Sequence, residues 1–498
     1  MRVTFIAAEC EPWAKTGGLA DVVDALARAL GRQPGLPIDA PVDVFLPRYR
    51  GIVIPDGATS TLIRVPDPGA LTGVTELAIV DVPGDGYRLR LVDHPPAFDR
   101  DGFYGDAAGD YSDNAWRFGL LCRAALETIR TEPNAPDVLS IHDWHAAPAV
   151  LFRDRWLADD PVLGGMAIVI TLHNLAYHGW VPREHVRELG LAAGDPMLTE
   201  DAGIDLLRTG IERAELANTV SPGYAAEALT PEYGMGLETT LRAKGDRFLG
   251  ILNGLDTALW DPATDAELAA PYSRTDLAGK SVCRRELLTE VGLDPEDQSP
   301  VLGMIGRLDP QKGFDLLAGA APELIERARL VVLGTGNASL VAPLAKLASA
   351  RPGRIALLER FDRGLARRIY AGIDMFVMPS RFEPCGQGQM IALRYGSPPI
   401  VRWTGGLRDT VVDETARPGR GTGFGFGAAT PAALLAACSD AIGLFESGGT
   451  RWRSLVDRGM AVDFDWTTGS APRYVDAYRR AIEIRRTRRA SAAAAGPD

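Results

Sequence analysis

Asp374-Met375-Phe376-Val377-Met378, running into Pro379-Ser380-Arg381-Phe382-Glu383-Pro384-Cys385-Gly386, sets how the rest of the chain is read. The first five residues are a short apolar run of the kind that forms a buried parallel strand. Residues 389–395 then have helical character. Glu383 therefore falls on a tight loop between the carboxyl end of a strand and the start of a helix. Open α/β sheets bind ligands at such loops, and the helix end offers free N–H groups to an anion. A carboxylate there suits one of two roles. It caps the helix, or it hydrogen-bonds a neutral polyol carried by the anion, as in a sugar nucleotide.

Working outward, the same grammar recurs. Residues 3–8 read as a strand, then Glu9-Cys10-Glu11-Pro12-Trp13-Ala14-Lys15-Thr16-Gly17-Gly18 as a glycine loop, then a helix over 19–30. This is the opening of a doubly wound domain. Residues 42–47 form the second strand, 51–95 a β excursion, 113–130 an amphipathic helix, and 137–141 and 167–172 further strands. Helices follow over 202–217 and 222–229. Turn residues cluster at 252–262, and βα alternation restarts beyond, with strands at 301–305 and 330–333. The division is an N-terminal lobe over 1–251, a linker at 252–262 and a C-terminal lobe over 263–465. A basic helical segment to 489 packs back on the N-terminal lobe, and 490–498 is a disordered tail. The fold class is α/β, two Rossmann-like lobes facing a cleft.

The 498 residues are 46% hydrophobic and 24% charged, ordinary for a globular chain with a large core. A net charge of -12, with no basic run outside the C-terminus, argues against a nucleic-acid binder and for a small or uncharged partner. Five scattered cysteines, with no CxxC pair or zinc spacing, suit a reducing cytoplasm. Neither a signal peptide nor an apolar run of roughly 18 residues, the length of a membrane span, is found.

Among the constellations, Lys15-Thr16-Gly17-Gly18 lets backbone N–H groups approach phosphate while Lys15 adds charge. GxxxxGK[ST] and GxGxxG are both absent; Gly334-Thr335-Gly336 lacks its third glycine and is a plain strand-to-helix turn. Arg307 and Lys312 straddle a turn at a strand end and could clamp a diphosphate. All six histidines lie in the first lobe. His142 and His145, at i and i+3 without a third ligand, do not make a metal site. Trp144 serves either as core or as a sugar platform, and His173 with Asn174 is likewise open.

Together these blocks resemble the bacterial glycogen synthases of starch synthase type, retaining glucosyltransferases of GT-B type. The match runs in order through Lys15-Thr16-Gly17-Gly18-Leu19-Ala20-Asp21-Val22, His142-Asp143-Trp144-His145-Ala146, Thr171-Leu172-His173-Asn174, Ser221-Pro222, Asn253-Gly254, Gly306-Arg307, Gln311-Lys312-Gly313, Glu383-Pro384-Cys385-Gly386 and Thr404-Gly405-Gly406-Leu407. The resemblance implies transfer of glucose from ADP-glucose to the non-reducing end of an α-1,4-glucan, with no cofactor and no metal. It implies that Lys15, Gly17 and Gly18 approach the donor phosphates and that Arg307 and Lys312 neutralise the leaving diphosphate. Glu383 then holds the glucose hydroxyls, Cys385 and Gly386 shape that wall with Thr404, Gly405 and Gly406, and Phe361 stacks on the base. His173 lies beside the anomeric carbon, and Glu9, Asp21, Asp143, Trp144 and Asn174 face the glucan acceptor. Lobe closure would exclude water.

Two departures stand out. Where the family reads an apolar residue, Thr and Gln after the glycine, this chain has Gln387-Gly388-Gln389, and Ile391 replaces a common aromatic. They bear on donor affinity and nucleotide choice. The alternatives are the same fold using UDP-glucose or a short oligosaccharide, and a silent glucan-binding protein. A pyridoxal-phosphate phosphorylase shares the two-lobe plan, but no motif of it is present.

Overall fold

The computed structural model of the protein describes residues 1–32, 41–69, 73–192, 194–198 and 203–495. The chain forms two compact units. Unit 1 holds Met1–Val220, Ala225–Gly254 and the segment from Trp466 onward; unit 2 holds Ser221–Tyr224 and Leu255–Asp465. The chain thus crosses between units at more places than a single linker, with Ser221–Tyr224 belonging to unit 2.

Unit 1 is built on a 9-stranded sheet in the order Phe248–Gly250, Leu216–Thr219, Ala167–Leu172, Val138–His142, Val3–Ile6, Val42–Pro47, Tyr87–Asp93, Val74–Pro83, Thr59–Pro66. Pairing is parallel from the first strand through Tyr87–Asp93, and the last two strands add an antiparallel ribbon. The β excursion therefore extends the main sheet. Parallel strands are covered on both faces, which is why Val3–Ile6 and Ala167–Leu172 are buried along their whole length. The order reverses between Val3–Ile6 and Val138–His142, so the loops after these two strands flank a topological switch point.

Unit 2 repeats the plan in a 6-stranded, all-parallel sheet. Its order is Ile355–Leu358, Arg329–Gly336, Val301–Leu308, Met375–Met378, Pro399–Arg402, Phe424–Phe426. In chain order this is the dinucleotide-fold sequence 3-2-1-4-5-6, with its switch point between Val301–Leu308 and Met375–Met378. Leu302, Met304, Phe314, Leu317, Val332, Met375, Val377 and Ile400 lie in one core cluster.

Three expectations from sequence are corrected. The helix expected over 202–217 is, within the described residues, a strand at Gly203–Asp205, a helix at Leu206–Arg213 and a second strand at Leu216–Thr219. The helical run ends at Ala214, whose ψ of 150 leaves the helix, and beyond it the Glu215 carboxylate is held by Arg153, at 2.8 Å, and by the Ile168 N–H, at 2.8 Å. The chain is then released into the buried strand. The strand placed at 301–305 runs on to Leu308, so Arg307 stands on the strand rather than in the turn. The C-terminal helix spans Ala471–Ala495, so most of the expected disordered tail is helical. Its alanines are the best helix formers and continue a helix already nucleated; residues 496–498 lie outside the described residues. This helix docks on unit 1, where Tyr478 meets the Ser140 hydroxyl at 3.1 Å and Tyr474 accepts from Asn218 at 3.2 Å. Among the described residues no helix is long and apolar enough to cross a membrane.

Candidate active site

At the unit 2 switch point the strand Val301–Leu308 delivers Arg307 to the surface, exposed and without an ion pair among the described residues. Asp309 then caps a tight turn by accepting from the Gln311 N–H at 2.8 Å, which presents Lys312. Gly313 sits at φ +75 with the Pro379 carbonyl 2.3 Å from where a Cβ would stand, so only glycine fits. The two loops are stitched together: the Arg381 N–H donates to the Gln311 carbonyl at 2.7 Å, and the Gln311 amide donates to the Phe382 carbonyl at 3.1 Å.

That stitching brings Glu383 to Lys312. The Lys312 Nζ lies 2.6 Å from Glu383 Oε2, and the Ser380 hydroxyl donates to the same oxygen at 3.1 Å. Glu383 is 6% exposed. Of the two roles open to it from sequence, helix capping is excluded. The helix Gly388–Arg394 starts at Gln387 with no side-chain cap, and Glu383 is directed to Lys312.

Behind Glu383 the backbones are in direct contact. The Gly406 N–H donates to the Glu383 carbonyl at 3.1 Å, and a Cβ on Gly405 would stand 2.0 Å from that carbonyl. Gly405 and Gly406 thus shape the loop by close approach, next to buried Thr404 and Cys385. Gly386 turns at φ +74. Gln389, fully buried, donates to the carbonyls of Cys385 and Gly386, each at 3.1 Å, and fixes the loop. At the departure Gly388, a Cβ would meet the Phe376 ring at 3.0 Å and the Tyr370 hydroxyl at 3.1 Å, a tight fit that these side chains would have to relieve. Phe361 stands apart from this cluster, 77% exposed beyond the strand Ile355–Leu358.

In unit 1, Glu9 is buried and accepts from the Thr16 N–H at 2.5 Å, the Thr16 hydroxyl at 2.6 Å, the Gly17 N–H at 3.1 Å and the Tyr104 hydroxyl at 2.6 Å. Its carboxylate is saturated by the glycine loop it holds. Lys15 lies 2.5 Å from Asp21 and 3.4 Å from Glu11. A Cβ on Gly17 or Gly18 would meet nothing within 4 Å, so both backbones are open to an approaching group.

The second unit 1 cluster follows strands Val138–His142 and Ala167–Leu172. Asp143 adopts φ +56 and accepts from the His173 N–H at 2.7 Å. Burial, helped by Glu9 nearby, raises the Asp143 carboxyl to about 7 against the pull of two backbone N–H groups. Asn174 folds its own loop by accepting from the Ala176 N–H at 3.0 Å. Trp144 stacks on His145 at 4.0 Å, meets Phe118 edge-on at 5.2 Å and packs over Gly179. The His173 imidazole lies 3.0 Å from His142, and burial pushes it down to about 3, so it is neutral.

The structure therefore gathers the residues singled out from sequence into three clusters, with Phe361 outside them. Sequence reasoning missed Tyr104, Ser380, Gln311 and the pairing of His142 with His173. Tyr104 is 95 residues from Glu9 and carries no local signal; Gln311 was legible only as part of a motif.

Two switch-point sheets, one presenting a carboxylate–lysine pair and an arginine with no ion pair among the described residues, are the arrangement of a GT-B glycosyltransferase, and the comparisons bear this class out. Residues 2–243 match the family model described as the starch synthase catalytic domain, and residues 299–443 that of glycosyl transferases group 1. The chain is 41% identical to a glycogen synthase of Syntrophotalea carbinolica, over 97% of this chain and 99% of the relative. It is 42% identical to a glycogen synthase of Anaeromyxobacter dehalogenans, over 96% and 99%. The catalytic domain of starch synthase IV from Arabidopsis thaliana, solved bound to ADP and acarbose, superposes with a TM-score of 0.87 at 32% identity, covering 97% of this chain and 99% of that one. A sucrose-phosphate synthase from Thermosynechococcus elongatus, at TM-score 0.60 and 17% identity over 96% of this chain and 98% of that one, shares the fold. The chain belongs to the glycogen and starch synthase family and is a glucosyltransferase.

Proposed function

We propose that the chain transfers the glucosyl group of ADP-glucose to the non-reducing end of an α-1,4-glucan with retention at the anomeric carbon. The observation that carries this reading is Glu383 paired with Lys312 at the unit 2 switch point, where Arg307 is exposed and has no ion pair among the described residues. The bond from the anomeric carbon to the diphosphate breaks, the acceptor hydroxyl oxygen bonds to the same face of the sugar, and its proton passes to the departing diphosphate oxygen. Negative charge grows on the leaving diphosphate, where Arg307 and Lys312 stabilise it by preorganised electrostatics. Lys15 adds charge, and the open backbones of Gly17 and Gly18 approach the phosphates. Glu383 accepts from the glucose hydroxyls, with Cys385 and Gly386 as the wall and Thr404, Gly405 and Gly406 behind it. Exposed Phe361 stacks on the adenine.

Neutral His173 hydrogen-bonds the glucosyl ring. Asp21, Asp143, Trp144 and Asn174 serve the acceptor, and Glu9 acts through the loop it holds. ADP as the leaving group draws on the likeness to the Arabidopsis enzyme. No resident metal is required in this reading, because side-chain cations meet the diphosphate. A cytoplasmic location is part of the proposal, suited to five buried free thiols.

The test is to supply glycogen with ADP-glucose or UDP-glucose, each with and without EDTA, and to follow nucleotide release with glucan growth. Faster growth from ADP-glucose, unaffected by EDTA, is expected. Preference for UDP-glucose, or loss with EDTA, overturns the donor or the metal-free part respectively.

A further inference from the structure

Strands Val138–His142 and Ala167–Leu172 pair in parallel with His142 opposite Thr171, which carries His173 to the end of its strand beside His142. The His142 Nδ1 and His173 Nε2 are 3.0 Å apart. His142 is fully buried, its ring 5.1 Å from that of Phe5, and its Nε2 is sealed from solvent with no hydrogen-bond partner. His173 Nδ1 makes no hydrogen bond to any described residue.

A neutral imidazole carries one proton, so the pair has two arrangements. In one, His173 donates from Nε2 and His142 must hold its own proton on the sealed Nε2, leaving a buried N–H without an acceptor. In the other, His142 donates from Nδ1, its sealed Nε2 is a bare lone pair, and His173 carries its proton on Nδ1. Orphaned buried N–H groups are the rarer defect in folded chains. Burial keeps both rings neutral, so each carries one proton and the facing nitrogens share a single one.

We infer that His142 is a positioning residue for His173, donating its Nδ1–H to His173 Nε2 and so fixing the tautomer in which His173 presents Nδ1–H as a donor. The functional half of this inference rests on the role proposed above for His173. A donor fixed at Nδ1 selects an oxygen acceptor on the bound glucosyl ring and orients the ring before the bond breaks. His142 touches no substrate and acts through its neighbour.

The experiment uses the full-length protein labelled with 15N-histidine, with His142→Phe, His142→Asn and His173→Gln, the last also assigning the His173 signals. Phe fills the volume without a donor, and Asn places an amide nitrogen near the old Nδ1. Wild-type protein is expected to show His173 protonated at Nδ1. His142→Phe should lose that single tautomer and drop kcat by roughly 10- to 100-fold, with KM for ADP-glucose little changed. His142→Asn should keep the tautomer and most of the turnover. Protonation of His173 at Nε2 in the wild type overturns the inference. So does wild-type kcat in a folded His142→Phe variant, or an equal loss in both His142 variants that follows Tm alone. A fully active His173→Gln variant overturns the role of His173 itself, and is read separately from the tautomer.

Discussion

Lys312 and Glu383 form an ion pair of 2.6 Å, and each is the other's sole charged partner among the described residues. A ligand that binds here must replace that pairing with contacts of its own. Glu383→Gln keeps the shape and removes the charge. Turnover is expected to fall by about 10²- to 10³-fold, with glucan affinity unchanged. Initial rates with ADP-glucose and calorimetric titration with maltoheptaose separate the two effects, and equal losses in both would contradict the assignment. Because the residues share one contact, Glu383→Gln with Lys312→Ala should cost less than the sum of the singles.

Arg307 differs in being exposed and in having no ion pair among the described residues. Arg307→Ala should therefore leave Tm nearly unchanged, within about 0.5 kcal/mol of stability. Turnover should drop by about 10²-fold or more, since the group acts only on developing charge. Arg307→Lys should recover part of the rate, because a point charge replaces a two-pronged donor. Melting curves and kcat measured on the same preparations check both statements.

Asp143 is held at a stability cost. Its carboxyl is raised from 3.8 to about 7 by burial. Between those values the folded chain holds a proton that the unfolded chain has released. Its contribution to stability therefore falls as pH rises from 4 to 7 and is least favourable above 7. Asp143→Asn should raise stability at pH 8 by about 1–3 kcal/mol, flatten the pH dependence across that window and reduce transfer to glucan. Chemical denaturation at pH 5 and pH 8 decides this: no gain at pH 8 would contradict the raised carboxyl.

Much of this was legible in the chain. The apolar run at 375–378 and the turn at Gly313 announce the strand–loop–helix units, because a buried parallel strand and a left-handed glycine leave local marks. Which charges meet is a different matter. The approach of Lys312 to Glu383 spans 71 residues and depends on strand order, and the saturation of Glu9 by Tyr104 spans 95. Periodicity also failed at 216–219, where a four-residue buried strand continues a helical pattern. It failed at the alanine-rich end as well, where polar context suggested disorder but propensity and an existing helix prevailed.

The glycine at 388 tests whether the departure from the family pattern is compensated locally. Gly388→Thr gains about 0.5 kcal/mol of helix propensity but presses on Phe376 and Tyr370, costing about 1–3 kcal/mol. The expected outcome is a lower Tm with no gain in donor affinity. Combining it with Phe376→Leu should cost less than the two changes separately.

Glu215 anchors unit 1 internally. It accepts from Arg153 at 2.8 Å and is approached by Arg485 and Arg488 of the C-terminal helix at 3.4 and 3.3 Å. Burial works to raise its carboxyl, but Arg153, the Ile168 N–H and Arg485 outweigh it and hold it low. Its stabilisation is thus present above the ordinary carboxylate range and lost as pH falls through the lowered value. Glu215→Ala leaves fully buried Arg153 with Asp154 at 2.8 Å and the Met166 carbonyl at 2.9 Å as its remaining partners, and should cost about 1–3 kcal/mol, read from denaturant midpoints at neutral pH.

The most direct test of the central claim uses ADP-glucose labelled with 13C at the anomeric carbon, maltoheptaose and the purified chain, followed by NMR. Transfer with retention predicts label appearing only in new α-1,4 linkages at the non-reducing end, matched one for one by ADP. Label in free glucose or a β linkage, or glucan binding with no transfer, would contradict the account.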